Sequence, residues 1–382
     1  MKRYFYNLII AGILFVSCSG KKSGNLPEFP VDFGQNIESQ LPLSKITDSI
    51  EAIELEMTDE SLIDPRPGFV KRIIISDDLV IIAQPEKIFI FDRNGKFIRS
   101  IGSKGQGPGE YISIKSMAYD VSNKRLFVCD YSKVICYDLE GKFLKESSMI
   151  RLGNPEIMVK DINYINNELW ILVYYMGNED KNGLYNQTTL YRLNEDIQIM
   201  DSCMVCKIYE RPGFSISNLD DYILLLDSTV YVYYPNVLAF QLAKIGRMPS
   251  KINLRDTLYR FENNNLVPEL KLKFKNDGIN SGGNSYISLF NVFRSNRYIF
   301  ADYYSHIESN GAGNFYSFCY DTKTGKGYNV PDRFTDDIHH IEHVQIRPFQ
   351  TNPDMFYYWH TNMKPEDTEE PNPTIYIGKL KK

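Results

Sequence analysis

The sequence predicts an all-β chain built from a repeated, strand-only unit, on three observations. The stretch Ile88-Phe89-Ile90-Phe91-Asp92-Arg93-Asn94-Gly95-Lys96-Phe97-Ile98 returns as Val134-Ile135-Cys136-Tyr137-Asp138-Leu139-Glu140-Gly141-Lys142-Phe143-Leu144, with Gly95 and Gly141 46 residues apart. Six apolar stretches recur along the chain: Leu79–Ala83, Leu126–Asp130, Leu169–Tyr175, Tyr222–Leu226, Tyr298–Asp302 and Met355–His360. Four of their five intervals lie between 43 and 59 residues. The composition includes 27 tyrosines and 22 phenylalanines, which suit half-buried pleated surfaces. A strand-only repeat of this length describes a radial array of small sheets. The expectation is a six-bladed β-propeller of four-stranded antiparallel blades, each stretch being the second strand of its blade.

The elements follow in chain order. Met1-Lys2-Arg3 is a short basic start, and Leu8 to Val16 is an apolar run of signal-peptide length, too short to span a bilayer. Phe15-Val16-Ser17-Cys18 then resembles a bacterial lipobox, with phenylalanine where leucine is usual. That resemblance implies a signal peptide over 1–17, cleavage before Cys18 and acylation of Cys18, each buried methylene holding the protein to a membrane by about 0.8 kcal/mol. An ordinary signal peptide cut elsewhere is the alternative. Residues 18–45, rich in Ser, Gly, Pro, Asn and Gln, read as a flexible tether, which leaves 46–382 for the propeller. No acidic cluster follows Cys18, and related lipoproteins carry one as a surface-export tag, so a periplasm-facing anchor is expected.

Within 46–382, Asn94-Gly95 and Glu140-Gly141 supply the positive φ that tight hairpins need. The interval from the fourth stretch to the fifth is 76 residues, and Leu254–Phe274 fills it with additional strand-like material. A wheel must close, because open edges expose unpaired backbone groups. Ile50–Met57, with Ile53, Leu55 and Met57 alternating, is expected to pair with the terminal strand Thr374–Leu380 and join the two ends of the chain in the last blade.

Charge excludes one class of partner. Without Lys2 and Arg3, 41 basic side chains face 48 acidic ones and no dense basic stripe remains, which argues against nucleic acid. Besides Cys18 the chain has Cys129, Cys136, Cys203, Cys206 and Cys319, an odd number. Cys129 and Cys136 flank a short turn, as a cross-hairpin pair or as two half-buried thiols. Cys203-Met204-Val205-Cys206 has redox or zinc spacing, but no helix follows it and no second pair completes a metal site. His339-His340-Ile341-Glu342-His343 has histidines four apart. The apolar pattern of Ile338, Ile341, Val344 and Ile346 reads instead as a strand entering the sixth blade, which would hold His339 and His343 about 13 Å apart.

Gly102-Ser103-Lys104-Gly105-Gln106-Gly107-Pro108-Gly109-Glu110-Tyr111 follows the first unit. A phosphate cradle would open a helix, whereas strands flank this block, so it reads as a wide crossing between blades. Together with Phe91–Phe97 it resembles the six-bladed propeller lipoproteins of gut Bacteroidota and, more distantly, NHL- and TolB-like propellers. The resemblance implies the fold and a lipid-anchored place in the cell envelope, facing the periplasm at the outer membrane. It implies no catalytic residue.

In propellers the crossings between blades share one face with the loops that join second to third strands. Here that face carries Gly102–Tyr111 and the excursions Tyr175–Gln187, Tyr303–Asn314 and His360–Pro373. Its aromatic and hydrogen-bonding residues are Tyr174, Tyr175, Tyr303, Tyr304, His306, Tyr358, Trp359 and His360. Of these, Tyr175, Tyr304, His306, Trp359 and His360 are candidate ligand contacts for a sugar or peptide, and three or four of the eight are expected to reach solvent. Lys71, Lys115 and Lys160 sit 44 and 45 residues apart in like contexts. They are candidates for a cationic rim at the channel mouth, favouring carboxylate or sulfate ligands, against the alternative of lysines snorkelling outward.

The leading reading is a tethered envelope protein that captures a glycan, a peptide or a protein partner on this face. The alternative is a hydrolase of the lactonase or esterase kind, with calcium held in the channel by Asp120, Asp130, Asp161 and Asp302. A purely structural hub is the third. Apart from that calcium, no cofactor is implied.

Overall fold

The chain forms six blades arranged as a wheel. The structure, a computed structural model, describes residues 26–66, 68–130, 133–148, 156–209, 223–226, 229–233, 255–275, 286–306, 313–349, 352–362 and 370–382. Two short strands come first, β1 (Glu28–Pro30) and β2 (Ile37–Glu38), then β3 (Thr47–Glu54). Blade 1 is β4 (Arg72–Ile75), β5 (Leu79–Ala83), β6 (Ile88–Asp92) and β7 (Phe97–Ile101). A crossing with β8 (Ser103–Lys104) and β9 (Glu110–Tyr111) leads to blade 2: β10 (Ser116–Asp120), β11 (Arg125–Cys129), β12 (Lys133–Asp138) and β13 (Phe143–Ser148). Blade 3 is β14 (Glu156–Ile165), β15 (Glu168–Asp180), β16 (Gly183–Leu193) and β17 (Ile199–Ile208). Blade 4 is β18 (Ile223–Leu226), β19 (Thr229–Val232), β20 (Thr257–Glu262) and β21 (Asn265–Lys273). Blade 5 is β22 (Tyr286–Arg294), β23 (Tyr298–His306), β24 (Asn314–Asp321) and β25 (Lys326–Pro331). An inserted hairpin, β26 (Phe334–Asp336) and β27 (Ile341–Val344), precedes blade 6, which is β28 (Arg347–Pro348), β29 (Met355–His360), β30 (Thr374–Leu380) and the returning β3.

Alternation builds the wheel. In blade 1, Ile81, Ala83, Ile88 and Ile90 pack on Met117, Leu126 and Val128 of blade 2. Their neighbours Val80, Ile82, Phe89 and Phe91 pack on Tyr357, Ile375 and Ile377 of blade 6. A period of two therefore buries both faces of each sheet, each aliphatic side chain contributing about 1.5–3 kcal/mol. The turn from third to fourth strand repeats one device. Asp92 Oδ1 accepts the amides of Asn94 and Lys96, Asp138 Oδ1 those of Glu140 and Lys142, and Asn194 Oδ1 those of Asp196 and Gln198. Asp321 Oδ1 accepts those of Lys323 and Thr324. These are Asx turns.

The wheel closes as expected. β3 pairs antiparallel with β30, from Thr47 opposite Leu380 to Glu54 opposite Thr374. Gly95 (φ +82°) presses its turn onto the end of β3, where a Cβ would stand 1.8 Å from the Glu54 carbonyl oxygen. The Gly-rich block is a crossing held from within. Glu110 accepts the Gly107 amide at 2.8 Å, Tyr111 is fully buried, and Tyr137 donates to the Gly109 carbonyl at 2.6 Å.

Three expectations are corrected. Residues 18–45 were expected to be a loose tether, but from Pro27 onward the chain is a strap docked on the wheel. β1 pairs in parallel with β21 and β2 with β25, and Val31, Leu41 and Leu43 are buried. Ser44 then donates its amide to Asp337 at 3.0 Å, beside the inserted hairpin. In blade 4 the apolar stretch at Ile223–Leu226 is the innermost described strand, and β20 and β21, expected as extra material, are the outer two. The added length falls between the second and third strands, mostly outside the described residues. The third correction concerns His339–His343, expected as a strand entering blade 6. It is the turn and second strand of the inserted hairpin, with His340 and His343 at φ near +59°.

Candidate functional site

The loop-bearing face holds a cavity of about 290 Å³ where blade 6 meets blade 1. Three chain segments build it. Pro65, Arg66, Gly68 and Val70 come from the crossing between β3 and β4. Arg333 and Ile341–Gln345 come from the connection carrying the inserted hairpin, which continues to Arg347. Tyr358, Trp359 and His360 come from the end of β29.

Each segment is fixed by short-range chemistry. Asn372 accepts the Ile63 amide at 2.8 Å and donates to the Glu56 and Ser61 carbonyls, while Gln84 donates to the Asp64 carbonyl at 2.7 Å. Asp64 and Arg66 form an ion pair, and Arg66 lies over the Phe69 ring at 4.3 Å. The hairpin is anchored by Asp336, which is fully buried. Asp336 Oδ1 accepts the Ile338 and His339 amides, and Oδ2 meets His339 Nδ1 at 2.7 Å and takes the Tyr358 hydroxyl proton donor. The Tyr358 ring stacks on Tyr376 at 4.9 Å. Burial and the Asp336 carboxylate push the Tyr358 hydroxyl far above its ordinary pKa, so it stays a donor.

The lining is cationic and aromatic. Arg347 sits over the Trp359 ring, 4.4 Å from its centroid, a cation–π contact that fixes both groups. Arg333 is half-buried at positive φ, makes no hydrogen bond or ion pair among the described residues, and stands 5.9 Å from the Phe315 centroid. Desolvation lowers its pKa and Arg347 lowers it further, while the nearby Asp302 carboxylate opposes them. His343 Nδ1 meets the Asp332 carbonyl at 2.8 Å, so in the neutral ring Nδ1 carries the proton and Nε2 is an acceptor. Burial lowers the His360 pKa, which keeps that ring neutral near pH 7. Glu342 is exposed on β27 at the mouth.

Of the eight sequence-derived candidates in the described residues, Trp359 and His360 line this cavity, and Lys71 adjoins it through Val70. Lys71 Nζ donates to the Gly68 carbonyl. Lys71 and Lys115 do take equivalent places, their amides donating at 2.8 Å to Ala83 and Cys129 carbonyls. Lys115 Nζ lies 3.5 Å from Ser113 Oγ. Lys160 occupies a bulge in β14, with Nζ 3.0 Å from Met158 Sδ and over the Tyr174 ring at 5.2 Å, and burial brings its pKa down to about 7. Neither Lys115 nor Lys160 lines the cavity. Tyr175 is buried in blade 3 with its hydroxyl 2.6 Å from that of Tyr191. Tyr304 and His306 are half-exposed at the end of β23 and do not line the cavity. Tyr174, Tyr303 and Tyr358 are buried as well. Cys18 lies outside the described residues.

The four aspartates weighed as calcium ligands each serve elsewhere. Asp120 pairs with Arg125 in a hairpin turn of blade 2. Asp130 accepts the Ile112 amide at 2.9 Å and the Ser113 amide at 3.3 Å. Asp302 binds Asn291, Ser317 and Gln345. Asp161 pairs with Arg72 at 3.0 Å, with both side chains 2 % exposed. Arg72 also donates to Asn163 at 2.7 Å, and Ser116 donates to Asp161 at 3.3 Å. This network joins the innermost strands of blades 1, 2 and 3 across the hub, where the sequence reading had left a hollow. The cysteine expectations resolve as free thiols. Cys129 sits opposite Val134 and Cys136 opposite Phe127, and burial pushes both thiols up. Cys203 and Cys206 lie on β17.

Sequence reasoning missed Arg72, Arg333, Arg347 and Gln345. The local signal for the cavity was Arg347-Pro348, which directly follows the apolar pattern ending at Ile346.

The family model for the domain of unknown function DUF4934 matches residues 28–381. The chain belongs to the DUF4934 family. The DUF4934 match opens where β1 opens, so the strap lies inside the family's unit. Among solved structures, a Bacteroides fragilis protein predicted to be exported superimposes with a TM-score of 0.57 at 17% identity, covering 93% of this chain and 99% of that one. This likeness shows the fold. A Bacteroides caccae protein of unknown function gives a TM-score of 0.39 at 12% identity, covering 77% of this chain and 86% of that one. The Neurospora crassa Pan2 WD40 domain gives 0.40 at 11% identity, covering 82% and 76%. No curated protein matches the sequence.

Proposed function

We propose that this DUF4934 propeller is an exported, lipid-anchored binding protein of the cell envelope that holds a small polar ligand, a glycan or peptide end, in the cavity between blades 6 and 1. The observation that carries the reading is that cavity itself, lined by the Trp359 ring, two arginines and two imidazoles from three separate segments on the face that bears the crossings. Few, well-placed polar groups around an apolar platform are what a small-ligand site requires. The lipobox-like Phe15–Cys18 and the resemblance to Bacteroidota propeller lipoproteins support the anchor, in keeping with the export predicted for the B. fragilis neighbour. The hydrolase reading has weaker support, because Asp120, Asp130, Asp161 and Asp302 are each engaged by protein partners: Arg125, the Ile112 and Ser113 amides, Arg72, and Asn291 with Ser317.

The test is a glycan and peptide array probed with the full chain and with Trp359→Ala. The expected result is a ligand whose affinity falls at least tenfold in the variant; a ligand bound equally by both sinks this site. Acyl labelling in cells that Cys18→Ser abolishes supports the anchor, and labelling that persists removes it.

A further inference from the structure

We propose that the strap over residues 27–45 is a conformational control on the cavity: docked, it completes the inserted hairpin that forms one wall, and displaced, it lets that wall go. The inference rests on the cavity being the ligand site, and its test needs no ligand.

The hairpin is too small to stand alone. β26 and β27 hold three and four residues, and they pair at Phe334 with Val344 and at Asp336 with Ile341. A two-stranded unit of this size is marginal in water. Yet β27 carries Ile341, Glu342, His343 and Val344, which line the cavity. The strap supplies the missing edge. Pro42 bridges in parallel to Thr335, the residue that the pairing with β27 skips. Two residues on, Ser44 clasps the hairpin turn. Its amide donates to Asp337 Oδ1 at 3.0 Å and its hydroxyl to Oδ2 at 2.5 Å. Lys381, just past the closing strand, donates to the Ser44 carbonyl at 2.8 Å and holds the strap from behind. Leu41, Leu43 and the following Ile46 are buried in the same apolar cluster as Phe334, Ile341, Val344 and Tyr358. The wall therefore has two supports: the bond from Tyr358 to Asp336, and the strap.

The strap can leave without opening a blade. It meets blades 4 and 5 as a fifth strand, over three residues at β1 and two at β2. Both pairings lie at outer edges, so the four strands behind each stay paired when the strap comes away. Between Val31 and Leu41 no residue is buried. Linkage then runs both ways: a ligand that needs the wall formed holds the strap down, and whatever draws the strap off weakens that ligand.

The experiment is hydrogen exchange of the full chain, read by mass spectrometry, which reports local opening. In Leu41→Asp the amides of Phe334–Asp336 and Ile341–Val344 should exchange at least tenfold faster, while those of β10 and β11 in blade 2 keep their rates. Ser44→Ala and Asp337→Ala, milder changes, should each speed the hairpin several-fold, and Ser44→Thr, which keeps the hydroxyl, should leave it unchanged. Asp337→Ala should also speed the strap amides of Lys45 and Ile46, because the coupling is reciprocal. A strap that exchanges faster beside a hairpin that does not overturns the proposal. An equal rise in every blade overturns it as well, since the strap would then be a general staple. A Trp359-dependent array signal together with a hairpin that ignores the strap overturns this inference and leaves the binding site standing. A strap-dependent hairpin beside a silent array supports it and counts only against the binding reading.

Discussion

Arg72 and Arg333 are both arginines packed close to the innermost strands of the wheel, and they meet opposite surroundings. Arg72 is 3 % exposed and spans from blade 1 to Asp161 and Asn163 of blade 3. Arg333 leaves the fifth blade at a strained turn and opens onto a cavity with a second arginine beside it and no described ion-pair partner. The charge is the same; what differs is whether the fold completes an ion pair. At the hub of blades 1–3 it does, and the polar network closes the centre. At the seam of blades 6 and 1 the Asp302 carboxylate lies near Arg333 without a described ion pair, and Arg333 lines the cavity beside the inserted hairpin. In this wheel the guanidinium closed into an ion pair belongs to stability, and the one without a described ion pair faces the cavity.

The largest expected effect tests the first half of that contrast. Arg72→Met leaves the Asp161 carboxylate buried without its guanidinium and should destabilise the protein by about 3–5 kcal/mol, read as a shift of the denaturation midpoint. Pairing it with Asp161→Leu removes both charges and should recover most of the loss, since a buried ion pair can be replaced by apolar side chains at little net cost. A double variant as unstable as the single one would mean that the network acts through its geometry and not through charge compensation. A smaller effect tests the second half. Arg333→Gln should change stability by no more than about 0.5 kcal/mol, because no described hydrogen bond or ion pair is broken and the opposing effects of Asp302 and Arg347 are both removed. A loss of several kcal/mol would move Arg333 to the structural class and undercut the site.

The regular parts of this molecule were legible because their chemistry is local. Asp92, Asn94 and Gly95 write a turn within four residues, and Asp138 to Gly141 write it again, so period and blade type follow from the sequence. The closing strand was legible because an edge must be covered and only one alternating stretch stood ready. The strap was not, because Glu28–Pro30 is too short to show alternation and pairs with Lys271–Lys273, more than two hundred residues away. The hairpin around Asp336 was misread because Ile338, Ile341 and Val344 imitate a strand, while the deciding interactions, Asp336 with Tyr358 and Asp337 with Ser44, are tertiary. The site inherits both difficulties. Trp359 and His360 were visible at a strand end, but Arg333 and Arg347 become neighbours only once the hairpin folds between blades 5 and 6.

Lys160 sharpens the comparison at the smallest scale. Its ammonium lies in the bulge of β14 one residue before Asp161, where desolvation brings its pKa down to about 7. Its unfolded value is near 10.4, so between about pH 7 and pH 10.4 the unfolded chain binds the extra proton. Stability contributed at this position therefore rises with pH through that window, and below about pH 7 the folded state carries the full cost of a buried charge. Lys160→Met removes that cost while keeping an unbranched side chain beside Met158 and Tyr174. Its stabilising effect should be greater at pH 6 than at pH 9 by on the order of 1–2 kcal/mol, measured by denaturant titration at the two values. An equal gain at both would show that the lysine is solvated and charged throughout, and an equal loss at both would show that, like Arg72, it is held by a charge partner of its own.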